Sequence, residues 1–92
     1  DGEALVNEAL FRLTARRESF PFLPRLGSRM GELRREKPSD CDALARQFAV
    51  EALAGLEDVT VIGVRVRRDQ DALLVMTDLL WQGEALTVQW EE

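Results

Sequence analysis

The stretch from Ser39 to Val66 most constrains the fold, because its hydrophobic period changes from helical to extended. Its first part repeats apolar residues every three or four positions, which places them on one broad face of an amphipathic helix. These residues are Cys41, Leu44, Ala45, Phe48, Ala49, Ala52, Leu53 and Leu56. From Val59 to Val66, six of eight residues are β-branched, a composition that favours a packed strand. The sequence therefore predicts a helix that leads directly into a strand.

Polar residues mark the ends of the two longer helices. Residues 3–14 have one apolar side and predict a first helix, with Arg16 and Arg17 as its solvated C-terminal end. Ser39 is the predicted cap of the main helix, and Asp42 is predicted to lie in its first turn, where negative charge is favourable.

Between these helices, two prolines make residues 20–24 an extended segment, whose phenylalanines are expected to hold it against the core. Because proline cannot donate a hydrogen bond, this segment could join a sheet only at its edge. Gly27 then offers a turn, and Ser28 a cap for a short helix over Arg29–Arg35.

The second half of the chain predicts an antiparallel meander. Its parts are the strand Val59–Val66, a turn at Arg67–Asp71, the strand Ala72–Trp81, a turn at Gln82–Glu84 and an edge strand over Leu86–Glu91. The predicted fold class is α+β, a single domain over residues 1–92. Two main helices and one short helix pack on the three-stranded meander, with residues 20–24 as a candidate fourth edge strand.

The strand Ala72–Trp81 carries apolar side chains on both faces, which is typical of a central strand covered on both sides. One face holds Leu73, Val75, Leu79 and Trp81, and the other holds Leu74, Met76 and Leu80. Two interpretations of the second face stay open. Either Phe20, Phe22 and the short helix cover it, or it is left for another protein.

Charge and composition narrow the classes of function. The 92 residues carry a net charge of −5, which argues against a nucleic-acid-binding domain. Residues 1–46 hold nine Lys/Arg and eight Asp/Glu, whereas residues 47–92 hold three and nine, so a local basic patch is allowed only in the first half. No apolar run approaches the roughly 20 residues that span a bilayer. The single cysteine, Cys41, lies on the apolar helix face and suggests a reducing compartment.

Candidate catalytic residues are scarce. The chain has no histidine, which excludes the Ser-His and Cys-His nucleophile systems. Because it also has only one cysteine, it lacks the Cys and His ligands of a zinc site. Asp69 and Asp71 are interpreted as turn residues and not as a cation site. Glu57 and Asp58 are adjacent and do not face each other across a cleft, as a glycoside hydrolase requires. The sequence therefore predicts no enzyme activity, no cofactor, no metal and no small-molecule substrate.

The order of several motifs resembles the small baseplate wedge proteins of contractile phage tails, a family sometimes labelled as lysozymes. The matching stretches are Leu13-Thr14-Ala15-Arg16, Pro24-Arg25-Leu26-Gly27-Ser28-Arg29-Met30 with Leu33, Ala52-Leu53 with Glu57, and Val59 to Val66. Two positions depart from the family pattern. Arg17 stands where a glycine usually precedes the acid, and Asp58-Val59 replaces the proline and arginine that usually follow Glu57.

The resemblance implies a non-enzymatic structural component of a tail baseplate, which docks to other baseplate proteins through Gly27, Ser28, Arg29 and Glu57. It also implies assembly in the host cytoplasm and a final location in the virion tail baseplate. A related type VI secretion baseplate subunit and an anti-adaptor-like binding protein are alternatives with a similar implied fold. A peptidoglycan muramidase, as the family label suggests, is a third hypothesis.

Overall fold

A computed structural model describes residues 1–18, 21–23 and 26–92. The elements in chain order are α1 (Gly2–Thr14), a short 3-10 helix (Met30–Arg35), α2 (Pro38–Leu53), β1 (Val59–Asp69), β2 (Ala72–Trp81) and β3 (Glu84–Glu91). The fold is α+β, with the helices packed on an antiparallel three-stranded meander in the order β1-β2-β3. Among the described residues, no helix is long and apolar enough to cross a membrane.

The main helix α2 begins two residues earlier than the predicted cap at Ser39 implies. Pro38 occupies its first turn, where a fixed φ suits the helix and the missing N–H costs nothing. The predicted Ser39 cap is therefore wrong, because Lys37 is the N-cap and provides no side-chain hydrogen bond. The prediction for Asp42 is also wrong. Asp40 lies in the first turn, whereas the Asp42 carboxylate accepts a hydrogen bond from the Val66 N–H of β1 at 3.0 Å.

The helices form one layer on one face of the sheet. α1 lies over β3, α2 lies over β1, and the 3-10 helix packs against α2. The predicted apolar face of α2 is confirmed, since its buried residues are Cys41, Ala45, Phe48, Ala49, Ala52 and Leu53. On β2, the side chains of Leu73, Val75, Thr77 and Leu79 point into this core and are at most 2% exposed.

β1 contains a bulge between Val61 and Gly63, where its pairing with β2 shifts by one residue. Val61 and Val64 are both buried although they are three positions apart. The extra residue, Ile62, makes this possible, because a bulge resets the two-residue alternation of a strand. Ile62 itself is 53% exposed.

The other face of the sheet, here called the outer face, has no helix over it in the described part of the chain. On β2, Leu74 and Met76 are half-buried and Leu80 is 41% exposed, whereas the core face is almost fully buried. Among the described residues, this face of β2 therefore has no covering layer; the expected cover from Phe20 falls outside them. The short helix does not cover the outer face, because its Met30 and Leu33 are buried in the core on the inner face.

The described residues of the segment 20–24 differ from the extended, core-packed segment that the sequence predicted. Phe20 and Pro24 lie outside the described residues, so the expected contact of Phe20 and the ends of the candidate fourth strand are not described. Pro21 and Phe22 form a turn, and Leu23 adds no strand to the sheet. Phe22 is 94% exposed, so it does not hold the segment against the core.

Candidate partner-binding surfaces

Gly27 connects the end of α1 to the start of the 3-10 helix through a close backbone contact. Its φ of +101° lies in a region that L-residues with a side chain avoid. A Cβ at this position would lie only 2.6 Å from the carbonyl oxygen of Ala15. Only glycine therefore allows the chain to pass this close to the residues that follow α1.

Ser28 completes this connection. Its backbone N–H donates to Ala15 O at 2.8 Å, and its carbonyl accepts from Arg17 N–H at 3.1 Å. Its hydroxyl donates to Leu13 O and accepts from the Met30 N–H at 3.3 Å, and the residue is only 5% exposed. Gly27 and Ser28 are thus buried structural residues that hold Arg29 in place, and their direct contact with a partner stays a prediction.

Arg29 is fixed on the surface by two neighbours on α2. Its guanidinium donates to both carboxylate oxygens of Glu51, at 3.0 and 3.1 Å, and lies 4.6 Å from the ring centre of Phe48. The hydrogen bond with Glu51 raises the pKa of Arg29 above its ordinary value, which outweighs the opposite effect of desolvation. Arg29 is therefore cationic at every physiological pH, and its fork is held in a single orientation.

Arg29 also lines a groove of about 840 Å³ that runs between the end of α1 and the 3-10 helix. Its charged lining residues are Arg16, Arg17, Arg29, Arg34, Arg35, Glu18, Glu32 and Glu92. We call it the arginine groove. Its volume is within the range of about 300–1,000 Å³ that is usual for ligand pockets. The adjacent arginines at 16 and 17 were visible in the sequence, but the interpretation as a solvated helix end missed this groove.

The arginines of this groove differ in their hydrogen bonding. Arg34 donates to the backbone carbonyls of Asp71 and Glu92, at 2.6 and 3.1 Å, and so ties the 3-10 helix to the sheet. The Nε of Arg17 is shielded from solvent and has no hydrogen-bond partner among the described residues. An unpaired donor in this state is energetically unfavourable, because it has lost its hydration without a replacement.

A second groove of about 780 Å³ lies next to the first and shares Arg17 with it. Its apolar lining consists of Phe22, Leu23, Leu26, Ala52 and Ala54. We call it the apolar groove. Phe22, which the sequence assigned to the core, and Leu23 are both exposed and therefore available at the surface.

Glu57, the fourth site residue implied by the resemblance, lies in the turn between α2 and β1 and is exposed. It lines neither groove, so the structure does not place it in the same cavity as Arg29. Its neighbour Asp58 has a φ of +62°, which closes the turn into β1.

The outer face combines apolar side chains with a hydrogen-bonded polar row across the three strands. Arg65 on β1 contacts the Asp78 carboxylate on β2 at 3.3 Å, and the Thr87 hydroxyl on β3 donates to the same carboxylate at 2.8 Å. Leu74 and Met76 lie on one side of this row and Leu80 on the other. The sequence alternation revealed the apolar residues but not the polar row, because it depends on the register between strands.

Within residues 1–18, 21–23 and 26–92, no group of three or more Cys, Asp or Glu side chains could hold a metal ion. Asp69 and Asp71 are exposed at the β1–β2 turn. The two grooves and the outer face present charged and apolar groups that can be recognised by a ligand or a partner. The chain matches no protein-family model, and the comparison with curated proteins found no match.

Proposed function

We propose that this chain is a non-enzymatic docking module that acts as a structural component of a phage tail baseplate. The docking role rests on one observation: on the outer face, Leu74, Met76 and Leu80 have no covering layer among the described residues. The baseplate context comes from the resemblance in motif order. Other tail baseplate proteins are the proposed partners, with assembly in the host cytoplasm and the virion tail baseplate as the final location.

The outer face combines apolar side chains with a polar row whose groups are already paired with one another. Its apolar side chains would contribute roughly 25 cal/mol for each Å² removed from water. The carboxylate of Asp78 already accepts hydrogen bonds from Arg65 and Thr87. A partner could therefore cover this polar row without leaving the carboxylate unpaired, which would add to the cost of desolvating the two charges.

The proposal is tested by co-expression of the tagged chain with the proteins encoded beside it, followed by affinity capture. We expect Leu80→Glu to abolish capture of the partner, because it introduces a charge at the most exposed apolar side chain of β2 on the outer face. Val50→Glu is the matched control, since Val50 is 49% exposed on α2 and the substitution is of the same kind. Retention of the partner by folded Leu80→Glu would refute the assignment of this face.

Glu57→Arg tests the remaining site residue. If Glu57 contributes to docking as the resemblance implies, the charge reversal should weaken capture while leaving the unfolding midpoint unchanged, because the side chain is exposed. Normal capture by this variant would remove Glu57 from the interface without affecting the role of the outer face.

A further inference from the structure

We propose that the arginine groove binds an acidic peptide segment of a partner protein. This inference rests on the proposed docking role and specifies the partner's chemistry at a second surface, away from the outer face. It is carried by free arginines, an unpaired donor and an adjacent apolar groove, all in the same part of the molecule.

The groove contains more positive charge than its own acids neutralise. Five arginines and three glutamates line it, although the chain as a whole has a net charge of −5. Arg16 and Arg35 are exposed and make no ion pair with any described residue. Their guanidinium groups are therefore available to carboxylates, which they can bind through two parallel hydrogen bonds.

Arg17 adds a more specific reason for a ligand. Its Nε is already desolvated and unpaired among the described residues, and its side chain lines both grooves. Because this Nε is shielded, a carboxylate in the groove would supply the missing acceptor only after the Arg17 side chain moves to expose the donor. The free chain has already incurred the desolvation cost of this donor, and binding coupled to that movement would recover it.

The floor of the groove suits a peptide. Gly31 lines it and has open space where a Cβ would project, so a peptide backbone can approach closely. Arg29 is held by Glu51 and Phe48, so its orientation is set before binding. The neighbouring apolar groove can accept an apolar side chain from the same segment.

The same features disfavour nucleic acid. Glu18, Glu32 and Glu92 lie among the arginines, and they would repel the evenly spaced phosphates of a nucleic-acid backbone. A peptide with separated carboxylates can instead place them opposite arginines and avoid the glutamates. Carboxylate groups on a partly apolar segment are therefore the favoured ligand chemistry.

Fluorescence anisotropy of the full chain with three probes tests the proposal. The probes are a short labelled peptide that alternates Glu with Leu, the same peptide with Lys in place of Glu, and a single-stranded oligothymidine. We expect the acidic peptide to bind more tightly than either of the others, and its affinity to fall as salt is raised. Equal or tighter binding of the basic peptide or of the oligonucleotide would overturn the proposal, as would no binding of the acidic peptide.

A charge-matched pair of double variants locates the site. Arg16→Glu with Arg35→Glu should weaken binding of the acidic peptide about tenfold, because two exposed ion pairs are lost and two repulsions are introduced. Arg46→Glu with Arg67→Glu makes the same charge change at exposed arginines outside the groove and should weaken it no more than about twofold. Equal losses in both double variants would show that only net charge matters and would refute the site.

Leu80→Glu separates this inference from the docking role of the outer face. If the groove is an independent surface, this variant should bind the acidic peptide as the original chain does. Loss of partner capture by Leu80→Glu, together with failure of the acidic peptide to bind any form of the chain, would reject the groove and leave the docking proposal standing.

Discussion

The contact between Gly27 and Ala15 predicts that a single added methyl group will destabilise the whole domain. In Gly27→Ala, the Cβ would lie 2.6 Å from the Ala15 carbonyl oxygen and 3.0 Å from two further backbone atoms. Backbone atoms cannot rotate away as a flexible side chain can, so the two segments must separate. That separation would break the two backbone hydrogen bonds between Ser28 and the residues after α1.

The magnitude follows from these two effects. A residue with a Cβ at a φ of +101° costs about 1–3 kcal/mol, and two lost backbone hydrogen bonds cost about 1–3 kcal/mol together. The expected total of about 2–6 kcal/mol is a large part of the roughly 5–14 kcal/mol that stabilises a chain of this length. We therefore expect the unfolding temperature to fall by at least about 10 °C.

Two other glycines provide matched controls for urea unfolding followed by tryptophan fluorescence. Gly83 also has a positive φ, of +79°, but nothing lies within 4 Å of the point that a Cβ would occupy there, so Gly83→Ala should cost only about 1–2 kcal/mol. Gly31 has neither a positive φ nor a neighbour in reach, so Gly31→Ala should be neutral or stabilising by up to about 1 kcal/mol. If Gly27→Ala costs no more than Gly83→Ala, the steric argument is refuted.

Three further predictions concern single contacts. Ser28→Ala should lower the free energy of unfolding by about 1–3 kcal/mol in urea titrations, because it removes a buried hydroxyl that both donates and accepts; an unchanged midpoint would contradict this. Asp42→Ala should speed hydrogen exchange at the Val66 amide, and Asp42→Asn, which keeps an acceptor oxygen, should restore much of the protection. Leu79→Ala should cost about 2–5 kcal/mol and Leu80→Ala less than about 1 kcal/mol, because only the first faces the core; similar costs would show that the two faces have been assigned wrongly.

Much of the fold was predictable from the sequence because local periodicity determines it. The three- and four-residue spacing of α2 correctly identified its buried face, from Cys41 to Leu53. Alternation along Ala72–Trp81 correctly separated Leu79 from Leu80. These patterns reflect the pitch of a helix and the pleat of a strand, which do not depend on distant residues.

The sequence predictions were wrong where contacts between residues distant in the sequence determine the structure. Hydrophobicity alone assigned Phe22 to the core, although a segment with two prolines has few ways to reach it. Local capping rules placed Asp42 in the first turn of α2. Its carboxylate instead accepts a hydrogen bond from the Val66 N–H on the neighbouring strand β1. The pairing of Arg29 with Glu51 joins positions 22 residues apart, and no local pattern indicates it.

The bulge at Ile62 determines which single-residue deletion the strand β1 can tolerate. Val61 pairs with Leu79 and Gly63 with the adjacent Asp78, so deletion of Ile62 would leave an unbroken ladder with Val61 still directed inward. Deletion of Thr60 would instead move Val59, the first residue of β1, into its outward-facing place. Viable relatives of this chain that lack a single residue of this strand should accordingly lack it at position 62.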